Sequence, residues 1–148
     1  MHAEQIAETY PVVTMDTDAR QAAELLASQR LPGIIVVDKE QRPYSVLPAS
    51  QVVRCLVPSY VQDDPSLARV IDESLADRVA DKLTNVTVRQ MLPDEPTELP
   101  VVNYDDTVLE VAAIMARLRC PLVAVVKDKE IIGAITASRL LQLAIPHS

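Results

Sequence analysis

From Val101 onward, apolar and polar positions follow an order that reads as one small unit. Val101-Val102 is a short extended segment, and Asp105-Asp106 marks a turn. Val108, Val111, Ala112, Met115 and Leu118 then recur at helical spacing. Thr107, with Glu110 three residues later, has the form of a capping box at the start of that helix. Pro121 closes it, because proline disfavours helical geometry in the residue before it. Leu122 to Val126 is an apolar run, too short for a helix and rich in branched side chains, and it predicts a buried strand. Lys127 to Glu130 reads as a charged turn and Ile131 to Ile135 as a second strand antiparallel to the first. Ser138 to Ala144 reads as a closing helix stopped by Pro146.

The same order occurs once before. Pro11 to Val13 returns as Pro100 to Val102, a spacing of 89, and Asp16, Ala23, Ala27, Arg30, Pro32, Val36 and Val37 return at that spacing as Asp105, Ala112, Ala116, Arg119, Pro121, Val125 and Val126. Past the loop around Lys39 the spacing falls to 88, so that Ala49-Ser50 answers Ala137-Ser138 and Pro58 answers Pro146. Asp18 and Gln21 occupy the capping-box positions in this copy, and Ile34 to Val37 the buried strand. A repeat of this length predicts two β-α-β-β-α units that bury their faces against each other, an α/β (α+β) fold. The expected organisation is repeat 1 over 1–58, a linker over 59–85 and repeat 2 over 86–148. Within the linker, Asp64-Pro65 predicts a helix over 65–83, with aspartate as N-cap and proline in the first helical position. Leu67, Val70, Ile71, Leu75 and Val79 form its apolar stripe, with Asp72, Glu73, Asp77 and Asp81 largely elsewhere. Packing against the two repeats is the simplest use of that stripe.

Composition narrows the function more than the fold. In 148 residues, 49% are apolar, enough for a proper core, and the net charge of −7 divides as −2, −3 and −2 over 1–58, 59–85 and 86–148. No basic face forms, so nucleic acid is not an expected partner. No apolar run reaches the roughly 18 to 20 residues of a membrane span, and Met1-His2-Ala3-Glu4 lacks the features of a signal peptide, so a cytoplasmic protein, not membrane-embedded, is expected. Cys55 and Cys120 have no Cys-x-x-Cys neighbour and read as reduced core thiols. His2 and His147 read as tail residues, and Asp16, Asp105 and Asp106 as acids at helix starts that cap amides, so neither a metal site nor catalysis is expected. With only Gly33 and Gly133, no phosphate loop or dinucleotide fingerprint can be written. Tyr44, Tyr60 and Tyr104 could each stack on a purine, and Tyr44 is the best placed of them.

Taken in order, Val88-Arg89-Gln90-Met91-Leu92, Asp105-Asp106-Thr107-Val108-Leu109-Glu110 and Ile132-Gly133-Ala134-Ile135-Thr136 resemble the entry segment, helix start and final strand of a CBS domain, and the whole chain resembles a tandem CBS pair, or Bateman module. The resemblance implies two repeats about a pseudo-two-fold axis, sheets facing, with two clefts that hold adenosine nucleotides (AMP, ADP or ATP) or S-adenosylmethionine. It also implies a homodimer that regulates an enzyme, channel or transporter in trans and is not itself an enzyme.

The family's ribose signature is a glycine, then a hydroxyl residue three positions on, then an aspartate three further. Here it reads Gly133, Thr136 and Arg139 in the second copy, and Ser45, Pro48 and Gln51 in the first. Arginine cannot accept a hydrogen bond, so Arg139 is suited to a phosphate or another anion, while Gln51 can still accept one from a hydroxyl. The candidate ligand residues are Gly133, Thr136 and Arg139, with Pro121 and Leu122 lining the cleft, and Tyr44 and Gln51 from the first copy. The competing expectation is a ligand-free dimeric module that docks on a transporter or enzyme.

Overall fold

The computed structural model describes residues 1–70 and 75–145. In the first copy, β1 (Val12–Thr14), α2 (Ala19–Ser28), β2 (Gly33–Val37), β3 (Pro43–Pro48) and α3 (Ala49–Leu56) follow a short α1 (Ala3–Ile6). In the second, α6 (Val88–Met91) precedes β4 (Val101–Asn103), α7 (Val108–Leu118), β5 (Leu122–Lys127), β6 (Glu130–Thr136) and α8 (Ala137–Ala144). Between them lie α4 (Ser59–Asp63), a 3-10 helix over Pro65–Val70 and α5 (Leu75–Leu83). Ile71, Asp72, Glu73, Pro146 and His147 lie outside the described residues.

Each copy forms a three-stranded sheet with its middle strand parallel to one neighbour and antiparallel to the other. Val13 pairs with Val36 and Ile34 with Leu47; in the second copy, Val102 pairs with Val125 and Val123 with Ile135. The predicted antiparallel pair is present in both copies, and both bulge at the matching step, Val36/Val37 and Val125/Val126. The connection after that bulge differs. In the second copy it is the two residues Asp128 and Lys129, both with positive φ (51° and 70°), the backbone that lets a two-residue hairpin follow the strand twist. In the first, Asp38 organises a longer loop by accepting from the amides of Glu40 (2.9 Å) and Arg42 (3.0 Å).

Strand alternation sorts the core into layers. Ile34 and Val36 face the helices of their own copy, as do Val123 and Val125. Ile35, Val37, Val46, Leu99, Leu122, Ala124 and Ala134 form a third cluster, in which the two sheets meet. The middle strands are thus covered on both faces over most of their length, which is why Ile34–Val37 and Leu122–Val126 read as unbroken apolar runs.

The pseudo-two-fold relation extends to the backbone, and there the chain crosses over. The amides of Ala3 and Glu4 donate to the carbonyls of Asp106 (2.8 Å) and Tyr104 (2.9 Å), while those of Val88 and Arg89 donate to Thr17 (2.9 Å) and Met15 (3.0 Å). Each entry helix therefore lies on the other copy. Both have a glutamine at their third position whose side-chain oxygen accepts the N-cap amide, Gln5 from His2 (2.7 Å) and Gln90 from Thr87 (2.9 Å). His2 is accordingly the start of α1 rather than a loose tail.

The helix starts follow the sequence with some corrections. Thr107 caps α7 through the Glu110 amide (3.2 Å), and Asp18 caps α2 through Arg20 (2.8 Å) rather than Gln21. Asp106 accepts from Asn103 (2.9 Å) and so ties the turn instead of capping the helix, because Thr107 already holds that place. Asp16 pairs with Arg89 of α6 (3.3 Å). Asp64 accepts from the amide (3.2 Å) and hydroxyl (2.7 Å) of Ser66, at the start of the 3-10 helix. No helix among the described residues is long and apolar enough to cross a membrane.

Candidate ligand clefts between the repeats

Where the two sheets meet, two clefts open on either side of Pro32 and Pro121, which line both. The wider, of about 550 Å³, lies between Glu8–Tyr10 of the first entry segment, Gln29–Pro32 at the end of α2, and Thr136–Ser138 at the β6–α8 junction. The narrower, of about 370 Å³, is built from the matching pieces: Thr97-Glu98, Leu118–Leu122, and Val46 and Pro48 at the β3–α3 junction.

The signature positions take an unexpected part in this geometry. Thr136 is the N-cap of α8, its hydroxyl accepting from the Arg139 amide at 3.1 Å. Arg139 turns its Nε to the carbonyl of Ile6 (3.3 Å), the last residue of α1. In the first copy Gln51 donates from Nε2 to the carbonyl of Met91 (2.9 Å), the last residue of α6. Both residues at the aspartate position of the signature therefore close the end of the entry helix from the other copy, where the last carbonyls of a helix have no intrahelical partners. A carboxylate has no donor with which to make either bond. Gly133 and Ser45 are matched in the same way. A Cβ at Gly133 would come 2.7 Å from the Glu8 carbonyl, because the entry chain lies directly on β6, where the amides of Glu8 and Ala134 exchange bonds of 2.9 and 3.0 Å. Ser45, fully buried, donates from its hydroxyl to the carbonyl of Thr97, the residue matching Glu8.

Of the residues expected to meet a ligand, the structure brings Pro121 and Thr136 into the wider cleft, and Pro121 and Leu122 into the narrower one. Gly133 lines a third hollow, between the two β-hairpin turns and Thr9-Tyr10. Tyr44, 47% exposed, lies elsewhere, beside Arg89 and Lys39, and Gln51 opens onto a shallow recess with Arg54. Tyr104 is half-buried with the Lys127 ammonium 4.8 Å above its ring. The cysteines are free thiols but half-buried rather than in the core, and Cys120 lines the narrower cleft. Burial pushes the Cys55 thiol up, against the opposing pull of Arg54.

Three residues at the clefts carried no role in the sequence reading. Tyr10 packs against the inter-sheet cluster, and its hydroxyl donates to the Gly33 carbonyl. Burial pushes its pKa up to about 12, against the opposing effect of that bond. Arg30 and Arg119 stand at matching ends of α2 and α7 with φ of 52° and 51°, one lining each cleft. Their place as repeat mates just ahead of Pro32 and Pro121 was the available signal. Among the described residues no group of three or more His, Cys, Asp or Glu is placed to hold a metal ion.

The geometry can be set beside known proteins. The CBS-domain family model matches residues 3–58 and 88–145. A CBS domain-containing protein of unknown function from Kribbella flavida DSM 17836 is 78% identical and superimposes with a TM-score of 0.92, each chain covered to 99%. The CBS domain of a CBS domain-containing membrane protein from Sphaerobacter thermophilus shares the fold at 19% identity and a TM-score of 0.73, over 98% of this chain and 88% of its own. CBSX2, solved in complex with AMP, does so at 16% identity and 0.66, over 97% and 95%. No curated protein matches. Two matched segments in one chain, each folded as β-α-β-β-α and facing the other across a pseudo-two-fold axis, place this protein in the CBS-domain family as a tandem CBS pair.

Proposed function

We propose that this CBS pair is a regulatory module that takes a small anionic or adenosyl-type ligand in its inter-repeat cleft and passes its occupancy to a partner enzyme or transporter in trans. The observation that carries this reading is the wider cleft. About 550 Å³ is within the range of ligand sites, and Thr136, Ser138 and Arg30 offer hydroxyls and a cation around it. CBSX2, of the same fold, was solved with AMP, which makes an adenosine nucleotide the first ligand to try. On this reading Thr136 and Pro121 are the ligand residues of the wider cleft, whereas Arg139 lines neither cleft, its Nε being bonded to Ile6, and would meet a ligand only by turning its remaining nitrogens past Thr136. We read the module as non-catalytic, cytoplasmic and homodimeric. The α8 face fits the last of these, with Leu141, Leu143 and Ile145 exposed by 57, 43 and 58%.

One observation favours a second reading, a dimeric interaction module without a ligand. Gln51 and Arg139, at the positions from which a CBS pair would hold ribose, are both bonded to main-chain carbonyls. Thermal unfolding against AMP, ADP, ATP, S-adenosylmethionine and inorganic phosphate separates the two, because a ligand of the native state raises the melting temperature with its saturation. A concentration-dependent rise that Thr136→Ala and Arg30→Ala diminish is the expected result. A folded protein whose melting temperature none of them moves overturns the nucleotide and phosphate reading in favour of the second.

A further inference from the structure

The two clefts are related by the repeat, but their walls are not alike. Leu118 stands where the wider cleft has Gln29, Pro48 where it has Thr136, and Val46 where it has Ala134. The narrower cleft is therefore walled largely by apolar side chains, among them Leu118, which is 48% exposed.

Two charged residues line this apolar space, Glu98 and Arg119, and neither is paired with the other or with any described residue. Arg119 ends α7 with φ 51°, a conformation that glycine adopts without cost and most other residues resist. Ending the helix does not require an arginine there, so its guanidinium is free to serve the cleft. A nucleotide suits the place less well than the wider cleft: the Glu98 carboxylate lines the same space as Arg119, its only cation among the described residues, and Gln51 is already committed to the Met91 carbonyl. An unpaired cation and an unpaired carboxylate on an apolar cavity of about 370 Å³ fit a small molecule that carries both charges on an apolar body.

We propose that the narrower cleft is a site for a free amino acid with an aliphatic or aromatic side chain. Its carboxylate faces Arg119, its ammonium faces Glu98, and its side chain lies among Leu118, Val46 and Leu122. This deepens the cleft-ligand reading and rests on it.

The test is calorimetric titration of the whole protein with L-leucine and L-phenylalanine, alongside isocaproate and isoamylamine, which keep leucine's apolar body but one charge each. Saturable binding of at least one amino acid is expected, with each single-charge analogue weaker by roughly tenfold or more, the loss of one charge-assisted contact. Arg119→Gly, which suits the backbone, is expected to weaken binding by a similar factor, roughly tenfold or more. Leu118→Gln, which writes the polar wall into the apolar cleft, is expected to weaken it, and Arg20→Gln on the outer face of α2, away from both clefts, to leave it unchanged. No amino-acid binding, equal binding of the analogues, or binding insensitive to Arg119→Gly overturns the assignment. AMP titrated in parallel separates the levels: AMP binding without amino-acid binding sinks this site and keeps the wider cleft, while silence from both, with no melting shift from ADP, ATP, S-adenosylmethionine or phosphate, sinks both.

Discussion

The first repeat has a third helix over its helical layer and the second has none among the described residues. In the first, α5 lays Leu83, fully buried, and Val79 against α2 and α3, so that Val52 and Leu56 are core residues and Cys55 is half-covered. In the second, α8 has no buried residue, and the positions matching Cys55, Leu56 and Val57 are Leu143, Ala144 and Ile145, all exposed. The outer face of α7 differs in the same sense: Leu109, 79% exposed, stands where the first copy has Arg20. Two sheets with the same registers thus carry helical layers of different use, one closed by its own chain and one left apolar and open. A repeat that duplicates a fold need not duplicate a surface, and it is the unmatched surface that is free to acquire a partner.

The sharpest way to break this contrast is truncation on both sides. Leu83→Ala empties a fully buried site, and a loss of about 2–5 kcal/mol is expected. Leu143→Ala removes a side chain already 43% exposed, and less than about 1 kcal/mol is expected if α8 faces water. Urea denaturation of both variants reads this directly. Equal losses would mean that α8 is covered in solution, as a homodimer interface would cover it, and dilution should then reduce the cost of Leu143→Ala.

A second contrast concerns how the entry chain meets each sheet. Gly133→Ala sets a Cβ 2.7 Å from the Glu8 carbonyl, a backbone atom that cannot swing away, and about 1–3 kcal/mol of overpacking is expected. Hydrogen exchange at the Glu8 and Ala134 amides should accelerate in step. The matching change in the first copy, Ser45→Ala, removes one hydroxyl bond to Thr97, whose carbonyl keeps the Val46 amide at 3.4 Å, and about 1 kcal/mol is expected. A Ser45→Ala cost above that of Gly133→Ala would reverse the account of which entry chain is more tightly seated.

The two signature residues differ less. Gln51→Leu and Arg139→Leu each leave a helix-ending carbonyl without its side-chain donor, and about 1 kcal/mol is expected for Gln51, whose bond is 2.9 Å, and less for Arg139 at 3.3 Å. Proton exchange should quicken at α6 for the first and α1 for the second, each on the opposite repeat from the substitution. Loss confined to the substituted repeat would show that these bonds do not link the halves.

Much of this was legible in the chain, and what was not has a common cause. The period of 89, the drop to 88 and the branched runs at Ile34–Val37 and Leu122–Val126 carry the strand and helix order, because backbone propensity and burial are local. The crossing of the entry helices was not legible, since the entry helix itself matches its mate at a different spacing, Gln5 with Gln90, and only the folded sheets decide which one it crosses. For the same reason Gln51 and Arg139 could be read as ligand donors: their type shows a capacity to donate, but not that the nearest acceptors are the carbonyls of Met91 and Ile6. Arg30 and Arg119 were visible as a repeated pair, yet their left-handed backbone, which ends both helices and turns the chain along the clefts, exists only in three dimensions.

The smallest expected effect concerns Tyr10, which lies between the repeats, where Leu99 holds the matching place in the second copy. Its pKa stands at about 12 because burial disfavours the phenolate. In the unfolded chain a tyrosine ionises near pH 10. Below that, both states hold the proton and stability is unaffected. Between about pH 10 and 12 the unfolded state gives up the proton while the folded state keeps it, so the unfolded state is favoured and stability falls as pH rises. One such group changes stability by at most about 1.4 kcal/mol per pH unit. Tyr10 is only about half-buried, so solvent screening should bring the slope well below that. Tyr10→Phe removes both the titration and the bond to Gly33, so the variant should be slightly less stable at pH 8 yet lose less than the parent between pH 9.5 and 11. Urea unfolding at those pH values reads the difference in slope, and parallel losses in the two proteins would place the Tyr10 hydroxyl in water and the inter-sheet layer further open than the structure has it.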